Sequence, residues 1–153
     1  MEHMRRAGFS LALGSLLMVI SGYGAWSHPV ADKTGLRDSM DRNVLLLRAG
    51  NPQQKAAAAY WLGQQREAAA KAVKFLVEIL GDVTEVNPNQ YRSNKVLDKM
   101  TVGEEAAAAL VNIGQSSIEP LIHVLKSSPD PEARKNAAWA LGALHDTGAT
   151  GRI

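Results

Sequence analysis

The stretch Asp130-Pro131-Glu132-Ala133-Arg134-Lys135-Asn136-Ala137-Ala138-Trp139-Ala140-Leu141-Gly142 constrains this chain most, because two earlier segments are weaker copies of it. Ala58, Ala106 and Ala137 fall in register, as do Leu62, Leu110 and Leu141, at spacings of 48 and then 31 residues. The shorter spacing is the period. Paired amphipathic helices repeating at that interval bury their apolar faces only by stacking on their neighbours, which predicts an all-α fold, a short α-solenoid of stacked helical hairpins. An apolar fraction rich in alanine and aliphatics, with 5% aromatic residues, suits packed helices better than a sheet.

Taken in order, the apolar residues Leu36, Met40, Val44 and Leu47 share one helical face, and Gly50 ends that helix. Asn51, Pro52 and Gln54 give the second helix a cap, a tolerated proline and a capping-box partner. Its alanine-rich body, up to Tyr60-Trp61-Leu62, predicts close packing, and the following turn is placed near Arg66 to Ala69 although no strong breaker marks it. A third helix spans Ala72 to Leu80 up to Gly81, with Lys74 and Glu78 at i, i+4 spacing on its polar side. Residues 82–99 read as a polar surface loop around the Asn87-Pro88-Asn89 turn, and Val96, Leu97 and Met100 as a short helical lead-in. Capping boxes at Thr101-Glu104 and Ser116-Glu119 start the fourth and fifth helices, Gly114 stops the fourth, and Asp130-Pro131 caps the sixth. Leu76 aligns with Leu121, so the first hairpin turn is three residues longer, and Asn43 to Leu47 aligns with Leu121 to Leu125. Calling the repeat's two helices A and B, the order is B, A, B, insert, A, B, A.

The motif Asp130-Pro131-x-x-Arg134-x-x-Ala137-Ala138-x-Ala140-Leu141-Gly142, preceded by Ile118-x-Pro120-Leu121-Ile122-x-x-Leu125, resembles the short bacterial HEAT repeats of the phycobilisome-lyase type. The resemblance covers Leu36 to about Leu144 and implies an interaction scaffold, a bilin-attaching lyase or a module accessory to an enzyme. Lys55 and Gly103 depart from it where the family usually has the arginine seen at Arg134, and Ala133 stands for valine.

Arg5 and Arg6 precede an apolar run from Phe9 to Ile20, and Ala25-Trp26-Ser27 has small residues at cleavage spacing. That pattern predicts a secretory signal peptide over residues 1–27, cleaved after Ser27 or at Gly22-Tyr23-Gly24, and a periplasmic or secreted protein with no membrane contact after cleavage. An uncleaved anchor is the alternative, since residues 7–26 match the ~20 needed to span a bilayer. Residues 28–35 read as a mobile lead-in, 36–145 as the repeat domain and 146–153 as a tail too glycine-rich to cover the sixth helix. Either the array is truncated, or the apolar edge at Ala138, Leu141 and Leu144 meets another chain.

The net charge of +2 becomes about +1 without residues 1–27, which carry Arg5 and Arg6 against Glu2, and implies no nucleic-acid footprint. Without cysteine, disulfides, thiolate metal sites and thiol nucleophiles are excluded. HExxH, GxSxG, GxGxxG and P-loop patterns are absent from the sequence, and Glu104-Glu105 read as carboxylates favoured at a helix start. No catalytic residue, cofactor or metal is therefore expected. His28, as a new amino terminus, could hold copper only with a second histidine that the sequence does not identify. The candidate binding residues are Lys74, Glu78, Glu119, His123 and Lys126 on B helices, which line the concave face of solenoids, and Tyr91 with Arg92 in the insert. Their mixed charge points to a polar protein partner. Tyr60, Trp61 and Trp139 form a further aromatic set, read first as packing residues.

Overall fold

A computed structural model describes residues 29–93 and 99–148. Among them are six α-helices, α1 Pro29–Ala49, α2 Pro52–Gln64, α3 Val73–Glu78, α4 Val102–Ile113, α5 Ile118–Ser127 and α6 Pro131–Asp146, and two short strands, β1 Glu85–Val86 and β2 Met100–Thr101. The fold is all-α, with the helices arranged as stacked hairpins of a short solenoid. The described residues fall into two compact units that divide within α1, one up to Arg37 and one from Asp38 onward. Helix α1 begins at Pro29, ahead of the Leu36 start expected from the apolar spacing. The signal-peptide assignment, the Val96 and Leu97 lead-in and the end of the tail lie outside the described residues.

In the second unit the A helices α2, α4 and α6 stack directly on one another. Alanine makes this possible. Ala56, Ala58, Ala59, Leu62 and Gly63 of α2 are buried, as are Ala106, Ala107, Ala109 and Leu110 of α4. A side chain on Gly63 would come within 2.9 Å of the Ala109 Cα, so the two backbones approach too closely for anything larger than glycine there. On α6, Ala133, Ala137, Ala140 and Leu144 are buried at spacings of four, three and four, a single helical stripe. The B helices contribute Leu47, Leu76, Leu121 and Val124 to the same core. Leu125, aligned above with Leu47, is exposed instead, so the match between α1 and α5 is off by one residue.

The helix boundaries show which capping signals were sufficient. Asn51 with Gln54 and Thr101 with Glu104 form complete capping boxes, and Asp130 accepts a hydrogen bond from the Glu132 amide with Pro131 in the first turn. The Ser116-Glu119 box does not form. Residues Gln115–Ser117 make a 3₁₀ turn, Ser117 adopts helical φ and ψ, and no side chain caps α5. Gly114 ends α4 at φ +90°, a conformation that favours glycine. In the first hairpin the chain reverses through Arg66 at φ +51° and then a 3₁₀ segment, Arg66–Ala72, which supplies the extra length of that turn.

The insert departs most from its expected form. Instead of a solvated loop, β1 pairs antiparallel with β2 in the register Glu85 to Thr101 and Val86 to Met100. Met100 is thus in a strand and not in a helical lead-in. Val86 packs with Ala56 and Val102, flanked by Ile79, Tyr91 and Met100. The Gln53 side chain brackets the Asn87 backbone, donating to its carbonyl at 2.8 Å and accepting from its N–H at 3.1 Å. The first N–H groups of α4, from Val102 and Gly103, donate to the carbonyls of Thr84 and Asp82 at 3.1 and 2.9 Å. The insert therefore satisfies donors that a helix start would otherwise leave free.

Candidate functional site

Tyr91 and Arg92 sit over the groove between α2 and α4, and their polar groups are used within the fold. Tyr91 donates its hydroxyl to Glu105 Oε2 at 2.7 Å. The Arg92 guanidinium reaches both Glu105 oxygens, Nη2 lying 2.6 Å from Oε1 and 2.8 Å from Oε2. The same guanidinium stacks over the Tyr60 ring at 5.1 Å, and the Tyr60 and Tyr91 rings lie 5.8 Å apart. Glu105 is 1% exposed, so its charge stands almost out of water and requires a cation. Tyr91 and Arg92, the candidate binding residues of the insert, clamp the insert to the scaffold. Glu104 and Glu105 both lie in the first turn of α4, as expected; Glu104 completes the capping box, and Glu105 in addition holds the insert.

Electrostatics follow from that geometry. Burial, then the hydrogen bond to Glu105 and its negative charge, push the Tyr91 phenol well above its ordinary value. Burial works against the charged form of Arg92, but the Glu105 hydrogen bond and charge outweigh it and raise the guanidinium pKa.

The remaining candidates, Lys74, Glu78, Glu119, His123 and Lys126, are all exposed, on α3 and α5, which pack against each other. They carry two positive and two negative charges beside the imidazole. No ion pair joins Lys74 to Glu78 among the described residues. Lys74 Nζ lies instead 4.7 Å from the Phe75 ring centroid, and the Arg48 guanidinium of α1 also lies over that ring, at 5.7 Å. This arrangement brings a half-buried aromatic and two cations beside the mixed-charge residues, a feature that residue spacing alone did not single out.

The aromatic set separates. Trp61 packs against the core and Tyr60 lies under the insert, whereas Trp139 of α6 is 56% exposed. Trp139 lines a cavity of about 430 Å³ together with Lys99, Met100, Glu104, Lys135 and Asn136. Of the apolar edge expected on α6, Leu144 is buried and Leu141 is partly buried, leaving Ala138 and Trp139 outward. Among the described residues no three His, Asp or Glu side chains gather to hold a metal, and no helix is long and apolar enough to cross a membrane.

Stacked helical hairpins with charged outer faces define a helical-repeat surface, consistent with a protein-interaction scaffold. A family model described as the Armadillo/beta-catenin-like repeat matches residues 113–144, the stretch from the end of α4 through α5 and most of α6. The chain is similar to Armadillo-like repeats there, consistent with the wider superfamily of HEAT-type solenoids. No curated protein and no solved structure matches it.

Proposed function

We propose that the chain is a non-enzymatic protein-interaction scaffold whose contact surface is the exposed face of its B helices. The observation that carries this reading is the set Lys74, Glu78, Glu119, His123 and Lys126, exposed on two packed helices beside Phe75, whose ring both Arg48 and Lys74 approach. The alanine-packed A helices behind it make a rigid support, so a partner meets preformed geometry and little ordering entropy is lost on binding. The buried ion pair Arg92–Glu105 is engaged in holding the insert, which favours a structural role for it over a catalytic one.

The test is capture of partners from the native host by the tagged wild-type chain and by a Lys74→Glu, Lys126→Glu variant, with helicity checked by circular dichroism. A partner lost from the folded variant supports the reading; recovery unchanged by charge reversal refutes it. Deleting the insert is not a clean test, because it would uncover Glu105 and the start of α4.

We further propose export, with Arg5, Arg6 and the run from Phe9 to Ile20 acting as a signal peptide cleaved after Ser27. Amino-terminal sequencing of protein from the native host tests this, and an intact leader in membrane fractions would favour an alternative reading, a membrane-tethered assembly factor. The finer kinship with lyase-type bacterial HEAT repeats rests on the motif around Arg134 and Ala137. An enzyme-associated lyase role is the alternative, and detection of bilin attachment by the purified chain would replace the scaffold reading with it.

A further inference from the structure

Met40 and Met100 are the methionines of the described residues, and both are half-buried. Their surroundings differ. Met40, on α1, packs against the main apolar core. Met100, on β2, packs against the small cluster of Ala56, Val86 and Val102, and it also lines the cavity of about 430 Å³ beside Trp139. That cavity reaches solvent, since Lys99, Lys135 and Trp139 on its lining are exposed. The Met100 Sδ accepts from Arg92 Nη2 at 3.6 Å, the same nitrogen that holds both Glu105 oxygens. A guanidinium N–H is a strong, charged donor and a thioether sulfur a weak acceptor, so the contact uses little of what Arg92 can give.

One oxygen added to the sulfur changes that balance. Oxidation turns methionine into a polar sulfoxide, whose oxygen is a much better acceptor than the thioether. On Met100 that oxygen has Arg92 Nη2 within reach and the solvent-connected cavity beside it. Neither place leaves it buried and unpaired. On Met40 the same oxygen would be set against apolar core residues, where a polar atom without a partner is costly.

We propose that Met100 is an oxidation site: peroxide entering from the cavity converts its thioether to the sulfoxide, and Arg92 is the donor that receives the new oxygen. The sulfur lone pair attacks one peroxide oxygen, and the S–O bond forms as the O–O bond breaks. The departing hydroxide takes the proton left on the transferred oxygen, so the products are sulfoxide and water; sulfur loses two electrons and peroxide gains them. The guanidinium beside the sulfur also favours the negative charge that develops on the departing oxygen. Oxidation replaces a weak acceptor of Arg92 by a strong one, and so couples the rim of the cavity to the clamp that holds the insert. This goes beyond the scaffold reading and does not depend on it.

The experiment treats the full folded chain with hydrogen peroxide and follows each methionine by peptide mass spectrometry. Met100 should be oxidised at least about tenfold faster than Met40, a difference of ~1.4 kcal/mol in barrier. The part played by Arg92 is read as the change in urea unfolding caused by oxidation, with a peroxide-treated Met100→Leu chain subtracting the effect of the other methionines. In Arg92→Leu, Glu105→Leu the donor is gone and the pair is replaced by apolar volume; there oxidation should favour unfolding at least about tenfold more than in the wild type, ~1.4 kcal/mol. Arg92→Lys keeps a cation for Glu105 but loses the planar fork that reaches both partners, and it gives the same comparison if the double variant does not fold. Equal oxidation rates at Met40 and Met100, or an equal cost of oxidation with and without the Arg92 guanidinium, overturns the proposal.

Discussion

Replacing Glu105 by alanine removes the one carboxylate that holds the insert. Arg92 loses contacts of 2.6 and 2.8 Å, and Tyr91 loses its acceptor at 2.7 Å. Breaking a buried pair from one side costs about 3–5 kcal/mol because the surviving charge is left unpaired. Here that survivor, Arg92, is 21% exposed and can turn toward water, which lowers its share to about 2 kcal/mol. The half-buried Tyr91 hydroxyl adds about 1 kcal/mol. The expected loss is therefore about 3 kcal/mol, or about 10 °C in Tm for a domain of this size. Urea and thermal unfolding followed by circular dichroism measure it, and hydrogen exchange should show amides in the ribbon opening before those of α4. The combined change Arg92→Met, Glu105→Leu replaces the pair with apolar volume and should recover most of the loss. A Glu105→Ala cost under about 0.5 kcal/mol, or a double variant as unstable as the sum of the single ones, would refute the clamp; measured coupling is the criterion.

Three other outcomes are expected. The Tyr91 phenol keeps its proton to higher pH in the folded chain than in the unfolded one, so its contribution is whole below the ordinary phenol value of about 10 and is lost as pH rises through the raised folded value; Tyr91→Phe should flatten the alkaline side of a stability–pH curve. Arg66→Gly relieves the side-chain penalty at φ +51°, offset in part by unfolded-state entropy, and should change stability by about 0 to +1 kcal/mol in urea titration, whereas Arg66→Val should destabilise. Gly103→Ala places a methyl against the Leu80 carbonyl oxygen, and calorimetry should show a loss of about 1–3 kcal/mol despite alanine's better helix propensity.

What the sequence revealed of this fold was local. Asn51 with Gln54, Thr101 with Glu104 and Asp130 with Pro131 each complete their signal within one helical turn, and each forms. Ser116 and Glu119 have the same spacing, but Ser117 remains in helical geometry, so no extended cap residue exists to make the box. The turn near Arg66 was placed correctly, but the positive φ of Arg66 was not legible, because arginine gives no local sign of it. The role of Tyr91 and Arg92 was hidden because their partner lies on another element. One signal could have found it: Glu105 falls beside Val102, Ala106 and Ala109 on the stripe that α4 buries, and a carboxylate there demands a cation. The cavity beside Trp139 depends on the stacking of α4 and α6 and on β2, none of which spacing along the chain could specify.

The departures from the repeat pattern at Gly103 are the imprint of the insert. In the last repeat the Arg134 guanidinium donates to the Ser128 carbonyl at 2.8 Å, satisfying the acceptor just past the end of the preceding B helix. The equivalent position in the middle repeat is Gly103, and the preceding B helix, α3, leads into the insert through Leu80, Gly81 and Asp82. There the chain passes so close to α4 that a side chain on Gly103 would overlap the Leu80 carbonyl. The acceptor is satisfied from elsewhere, by Asn136 Nδ2, and the Gly103 amide bonds Asp82 directly at 2.9 Å. An arginine at 103 would thus have neither space nor a free carbonyl to bind. The middle repeat thus carries glycine where the chain enters the insert, and the side chain that bonds the Leu80 carbonyl in place of an arginine is the buried Asn136, which also lines the cavity beside Trp139.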